Sequence, residues 1–171
     1  MVWKLRLFWY GLDKVALAVA LVLGVVVGAL AIAASAVFVQ RDAKAAAARD
    51  FDARSLECLA LNVYYEARGE SLAGQYAVAE VTLNRKSALG FPKTLCDVVY
   101  QKGAFSWTDE KLDQPGGTEW QRAIKVAEDS YYGRRPPALP GALYYHATYM
   151  RPAWAKERER LARIGGHIFY R

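Results

Sequence analysis

The sequence predicts an α+β fold, mostly helical with a small antiparallel sheet and preceded by one transmembrane helix. Three observations carry that prediction. An uncharged block of 25 residues, VALAVALVLGVVVGALAIAASAVFV at 15–39, stands apart from a polar remainder. Beyond it, apolar residues recur at helical spacing in short runs broken by Gly and Pro. Two aromatic pieces, ALYYHA at 142–147 and HIFYR at 167–171, have the length and composition of strands. The chain has 171 residues, of which 54% are hydrophobic and 23% charged, which excludes a disordered or collagen-like protein. From residue 54 onward 118 residues remain, the size of a single domain, so a second large domain is excluded.

The apolar block is expected to span a membrane. At 1.5 Å per residue a helix of this length reaches about 37 Å, against a hydrocarbon core of roughly 30 Å. A buried core helix is the alternative, and a domain of this size could hardly enclose one that is apolar all round. The chain therefore divides into a cytoplasmic flank at 1–14, a signal-anchor helix at 15–39, a linker at 40–54 and a C-terminal domain at 55–171. Lys4, Arg6 and Lys14 before the helix are matched by Arg41, Lys44 and Arg49 after it, so basic residues leave the orientation tied. Export of the C-terminal domain is favoured by the short flank, with Trp3, Phe8, Trp9 and Tyr10 as interface anchors, and by two cysteines suited to an oxidising compartment. The expected location is the inner (cytoplasmic) membrane, single-pass, with the C-terminal domain in the periplasm or extracytoplasmic space. A cleaved signal peptide is the competing reading, with Ala34-Ser35-Ala36 as its small-residue site, although the block is long for a signal core. Gly24 and Gly28 have helix-pairing spacing, which composition alone explains in so small-residue-rich a stretch.

Residues 40–54 mix alanine with alternating charge and read as a stalk, helical or not. Ser55 is then a possible N-cap for a helix at 55–67, whose apolar side carries Leu59, Ala60 and Val63, and Gly69 stops it. A second helix is predicted at 71–88 with Leu72, Tyr76, Ala79 and Leu83 inward, ended by Gly90 and Pro92. A helical turn fits 94–101. Thr118 and Gln121 form a capping box for a helix that turns Trp120, Ile124 and Ala127 inward and ends before Gly133. Pro152 reads as the opening of a last helix, at 153–163, ending before Gly165 and Gly166.

Glu66 follows Val63 by three residues and Leu59 by seven, so it lies on the helical face that enters the core. Burial there raises a carboxyl pKa, as a general acid requires near neutral pH. Spacing alone also allows a rim position paired with Arg68. Glu70, beyond Gly69 at the mouth of the second helix, is explained structurally by the helix dipole. Gln75 and Asn84 could reach a polar cleft or face solvent, and Glu80 is expected in solvent.

The segments YYEARGE at 64–70, GQYAVAEVTLNR at 74–85, FPKTLCDVVYQ at 91–101, GAFSWT at 103–108, YYHA at 144–147 and IGGHIFY at 164–170 together resemble the SleB-type cell wall hydrolases, in collinear order over about residues 56–171. The resemblance implies a lysozyme-like domain that cuts the glycan strands of peptidoglycan, in the best-known members as a lytic transglycosylase. The family's catalytic glutamate matches Glu66. A lone acid suits that chemistry, whereas a hydrolase needs a second carboxylate about 5 to 9 Å away, and Glu70 is the nearby candidate. The spore enzymes carry a wall-binding repeat where this chain has an anchor and stalk, which points to periplasmic peptidoglycan rather than spore cortex. A phage-type signal-anchor endolysin and a catalytically silent wall-binding protein are the alternatives.

Residues 54–171 hold 17 Lys plus Arg against 13 Asp plus Glu, a net charge of +4 that suits an anionic wall polymer. The expected partners are the glycan strands and, through the N-terminal helix, a membrane. No nucleic-acid motif is present, and oligomeric state is not legible. Aromatic rings cover the C–H faces of sugars, which makes Tyr65, Phe105, Trp107, Tyr144 and Tyr145 candidate cleft residues, with core packing as the alternative. Ser106 or Thr108 could bond an N-acetyl group, and His146 could line the cleft. His146 and His167, with no acid or thiol at ligand spacing, make no metal site, and no cofactor is expected. Cys58 on the acid-bearing helix and Cys96 are expected to form a disulfide, with two buried thiols as the alternative.

Overall fold

The computed structural model describes the backbone of residues 2–171 and the side chains from Lys14 onward. The flank residues Trp3, Lys4, Arg6, Phe8, Trp9 and Tyr10 lie outside the described side chains. Two compact units are present, Met1–Arg49 and Asp50–Arg171.

The first unit is helical throughout its described length, within α1 (Val2–Ala67). Its described aliphatic side chains face outward, with Val25 73% and Ile32 72% exposed. This helix is long and apolar enough to cross a membrane. Residues 40–54 are also helical, so the stalk takes the helical alternative. Ser55 is therefore no N-cap: it lies inside α1 and is buried. The favourable helix propensity of the Ala-rich stretch, with the Asp50–Arg54 ion pair one turn apart, carries the helix through the point where a start was expected.

The second unit holds the C-terminal part of α1, then α2 (Leu72–Ser87), α3 (Leu95–Val99), α4 (Gly117–Tyr131) and three strands, β1 (Tyr144–Ala147), β2 (Arg160–Ile164) and β3 (His167–Tyr170). Short 3-10 turns occupy Ser106–Asp109 and Ala153–Glu157. The sheet is antiparallel in the order β1-β3-β2, with Tyr145 opposite Phe169 and an irregularity between Arg160 and Ala162.

α2 is the central element because it is buried on two sides. Ala79 joins Leu59, Val63, Leu95, Ala123 and Val126 in a helical core with α1, α3 and α4. Ala77 and Val81 meet Leu139, Ala142 and Phe169 in a second cluster that seats the sheet. The expected single stripe of Leu72, Tyr76, Ala79 and Leu83 is thus corrected: Leu72 is 48% exposed, and fully buried Val78 and Val81 take the weight. Ser71 caps α2, its hydroxyl accepting from Gly74 N–H.

Two further expectations fail. Residue Gly116, not Thr118, caps α4, and the Thr118 hydroxyl bonds the Glu119 carboxylate instead. The helix predicted at 153–163 is a 3-10 turn followed by β2, because Gly165, at φ +55°, and Gly166 make a two-residue turn that folds β2 back onto β3.

Candidate active site

Cleft residues come from α1, α2, the 101–112 region, β1, the 149–154 segment and β3. Tyr65 and Glu66 close α1 where the chain leaves the core, and the 3-10 turn after Phe105 presents Ser106 and Trp107. A cleft of about 580 Å³ is lined by Tyr65, Glu66, Phe105, Ser106, Trp107, Tyr145 and His146; of the candidates singled out in the sequence, Glu70, Tyr144 and Thr108 do not line it, and the Thr108 hydroxyl donates to the Phe105 carbonyl.

Glu66 is half-buried. Burial pushes its carboxyl above the usual range, opposed by a hydrogen bond from Tyr145 and by the positive charge of Arg85. Tyr145 Oη donates to Glu66 Oε2 at 2.9 Å, and its own pKa is raised well above that of a free phenol, chiefly by burial. Arg85 is buried and donates from Nε to the Leu143 carbonyl at 2.7 Å, while its guanidinium lies 5.2 Å from the Phe105 ring centre. Arg68, the rim partner that spacing allowed for Glu66, instead lies over the Tyr64 ring.

Aromatic surfaces continue from this acid. The Tyr65 and Trp107 rings stack at 4.7 Å, and Tyr65 Oη donates to the Asp113 carbonyl at 2.7 Å. Trp107 Nε1 donates to Asn62 Oδ1 at 3.1 Å, and Asn62 Nδ2 donates to Thr82 Oγ1 at 3.0 Å, with both Asn62 and Thr82 wholly buried. His146 has both ring nitrogens engaged, Nδ1 2.8 Å from the Ala147 carbonyl and Nε2 2.9 Å from Tyr170 Oη. Tyr144 lies to the side, in contact with Phe91 and Trp154.

Glu70 is placed elsewhere. Its carboxylate accepts from Gly166 N–H at 3.0 and 3.2 Å, and His167 Nδ1 lies 3.4 Å away without hydrogen-bond geometry. A Cβ on Gly165 or Gly166 would collide with it. Burial lowers the His167 pKa, Glu70 opposing and His146 adding to the shift. His167 in turn packs edge-on against Tyr145 at 5.3 Å. Cys58 and Cys96 are joined, with Cα atoms 5.2 Å apart, and the bridge packs on Val99 and Phe105 beneath the cleft.

Several participants escaped the sequence reading. Arg85 closes the GQYAVAEVTLNR segment and His167 lies in IGGHIFY, but neither segment assigns them a role; Asn62 had only its position on a buried helical face to mark it, and Glu110 and Trp154 line the cleft with no local signal. Gln75, Asn84 and Glu80 prove structural. Gln75 donates to the Glu70 carbonyl, Asn84 to the Leu139 and Ala142 carbonyls, and Glu80, expected in solvent, accepts from Ala138 and Leu139 N–H.

Known proteins share this architecture. The cell wall hydrolase family matches residues 69–170, a span that begins after Glu66. The spore cortex-lytic enzyme of Bacillus cereus is 33% identical over 120 residues, covering 70% of this chain and 45% of that protein. That of Halalkalibacterium halodurans is 35% identical over 115 residues, covering 67% and 34%. The crystal structure of the catalytic domain of the Bacillus cereus SleB protein aligns with a TM-score of 0.59 at 32% identity, over 68% of this chain and 89% of that one. The catalytic domain of the germination-specific lytic transglycosylase SleB from Bacillus anthracis gives 0.57 at 30%, over 68% and 93%. The chain spans less than half the length of these curated relatives. With the family match covering more than half of its residues, and the helical domain with its three-stranded sheet aligning to the SleB catalytic domains, this chain belongs to the cell wall hydrolase family.

Proposed function

We propose that the protein is a membrane-anchored, exported enzyme that cleaves the glycan strands of peptidoglycan as a lytic transglycosylase, with Glu66 as its single acid and base. The observation that carries this reading is Glu66 itself, a carboxyl with a raised pKa held by Tyr145 in an aromatic-walled cleft. The lytic transglycosylase activity named for the Bacillus anthracis relative supports it. So does the placement of Glu70, whose carboxylate is occupied by the Gly166 turn and does not line the cleft.

In this reaction Glu66 gives its proton to the glycosidic oxygen as the bond from that oxygen to C1 of the muramic residue breaks. The resulting carboxylate then takes the proton of the muramic C6 hydroxyl, whose oxygen bonds to C1. The products are a free 4-hydroxyl and a 1,6-anhydro end, and Glu66 is returned protonated. Tyr65 and Trp107 supply flat surfaces for sugar rings, and Arg85 limits the cost of the intermediate carboxylate. Anchoring rests on the exposed apolar surface of the first unit, and export on the disulfide.

Mass spectrometry of muropeptides released from purified sacculi tests the assignment. Anhydro ends are expected from the wild-type chain. Glu66→Gln, which keeps size and loses the proton, should lower release by about 10²- to 10⁴-fold; wild-type turnover by this variant overturns the role of Glu66. Glu110 favours a second reading, because it too is a carboxylate on the cleft wall. Reducing ends in place of anhydro ends, lost in Glu110→Gln, would select a two-carboxylate hydrolase.

A further inference from the structure

Beside the cleft lies an annex of about 330 Å³, lined by Arg85, Phe91, Lys102, Tyr144, Tyr145 and Trp154 together with the 101–104 backbone. Arg85, Ala104, Tyr145 and Trp154 line both spaces, so the two meet at residues that include the Glu66 partners Arg85 and Tyr145. The annex has an aromatic wall: Tyr144 contacts Phe91 at 6.2 Å and Trp154 at 5.8 Å. Its charge is of one sign. Lys102 lines it, Arg158, itself outside the lining, lies 4.0 Å from the ring centre of the lining residue Tyr144, and no carboxylate is among the lining residues. Among the described residues neither Lys102 nor Arg158 forms an ion pair. Arg85 contributes less to this field, because its Nε is committed to the Leu143 carbonyl and its charge faces Glu66.

Two cations without ion-pair partners, one lining an aromatic-walled space and one over a ring of that wall, suit an anionic, partly apolar ligand. A linear glycan lying in the main cleft has one branch of that kind, the peptide stem, which leaves the lactyl group of each muramic residue and carries free carboxylates. We infer that the annex is a stem-binding site, in which Lys102 and Arg158 receive stem carboxylates while the muramic ring occupies the cleft beside Glu66. This rests on the peptidoglycan reading above and adds the part of the polymer that selects the cut. The stem would determine which glycosidic bonds are presented, so that stem-bearing strands are preferred over strands whose stems have been removed or neutralised.

The test is binding rather than turnover. The full chain in detergent micelles is titrated with a disaccharide tripeptide and with the same compound after its stem carboxylates are converted to amides. The charged form is expected to bind about fivefold tighter at low salt, in keeping with a pair of solvent-facing ion pairs. Lys102→Glu and Arg158→Glu should each abolish that preference, and Arg163→Glu, an exposed charge of β2 that lines neither space and, among the described residues, lies over no aromatic ring of their walls, should retain it. Equal affinities for the two compounds, binding of neither, or loss of the preference in all three variants overturns the inference. Binding with the expected preference but no cleavage of sacculi by the wild-type chain would instead remove the enzymatic reading and leave the stem site standing.

Discussion

Tyr145 on β1 donates its phenolic proton to Glu66 Oε2 across 2.9 Å, joining residues 79 positions apart. The bond favours the ionised carboxyl, as does the charge of Arg85, and both act against burial, which favours the protonated acid. Removing the bond in Tyr145→Phe leaves burial less opposed and raises the Glu66 pKa further. A reaction that begins with protonated Glu66 loses rate as that proton leaves, so the alkaline limb of the kcat/KM profile should move to higher pH in this variant. A limb that stays in place or moves down contradicts the assignment. The stability sign is the same: protonated Glu66 is favoured in the fold, so its contribution is present at low pH and is lost as pH rises through the folded-state pKa.

Asn62 is a positioning residue for Trp107. One turn before Glu66 and wholly buried, it holds the indole N–H while its own amide is held by Thr82. Asn62→Leu should cost about 1 to 3 kcal/mol by leaving buried polar groups unpaired. It should also free the indole, seen as a larger rise in KM than fall in kcat and a shift in tryptophan emission. Pairing it with Trp107→Phe should give less than the sum of the two effects on KM; strict additivity would show that Asn62 acts on the fold alone.

Glu70 organises a turn. Replacing it with glutamine keeps an oxygen for Gly166 N–H but removes the charge, so Glu70→Gln should retain most activity and the anhydro product. Glu70→Ala should lose about 1 to 3 kcal/mol in urea denaturation. A Glu70→Gln enzyme that is folded and inactive would restore Glu70 to the chemistry.

The Cys58–Cys96 bond closes a separation of 38 residues. In the chain-entropy model its loss costs roughly 3 to 4 kcal/mol, so the double serine variant should melt well below the oxidised protein. Intact mass with and without alkylation, on protein purified from cells without reductant, checks the bond itself. Two alkylated thiols would remove it along with one support for export.

The sequence made the helical core legible because Leu59, Val63, Ala79 and Ala127 recur at spacings that only a helix turns to one side. β2 was not legible for the opposite reason. Its Arg160 and Arg163 face outward, and only Leu161, Ala162 and Ile164 pack on the sheet side, too little alternation to outweigh the charge-rich, helix-favouring run around it. Gly165-Gly166 between RLARI and HIFY was the available hairpin signal, and it reads equally as a helix stop. The cleft aromatics were legible as types in a small domain, but their partners were not. The contacts of Asn62 with Trp107 and of Arg85 with Leu143 depend on how α1, α2 and the 101–112 region come together, which no spacing along one element encodes.

The close fit of Glu70 into the Gly165-Gly166 turn imposes an order on how these positions can be replaced over generations. A side chain at Gly165 meets the Glu70 carboxylate and also a backbone at φ +55°, which L-residues rarely adopt. Loss of the glutamate first removes the collision, and the glycines remain serviceable without it. Loss of a glycine first displaces the Glu70 carboxylate from the Gly166 N–H it accepts from, and at Gly165 it also strains the turn between β2 and β3. The two positions are therefore coupled unequally: the turn tolerates a change at residue 70 more readily than one at Gly165, where the backbone demands glycine whatever faces it.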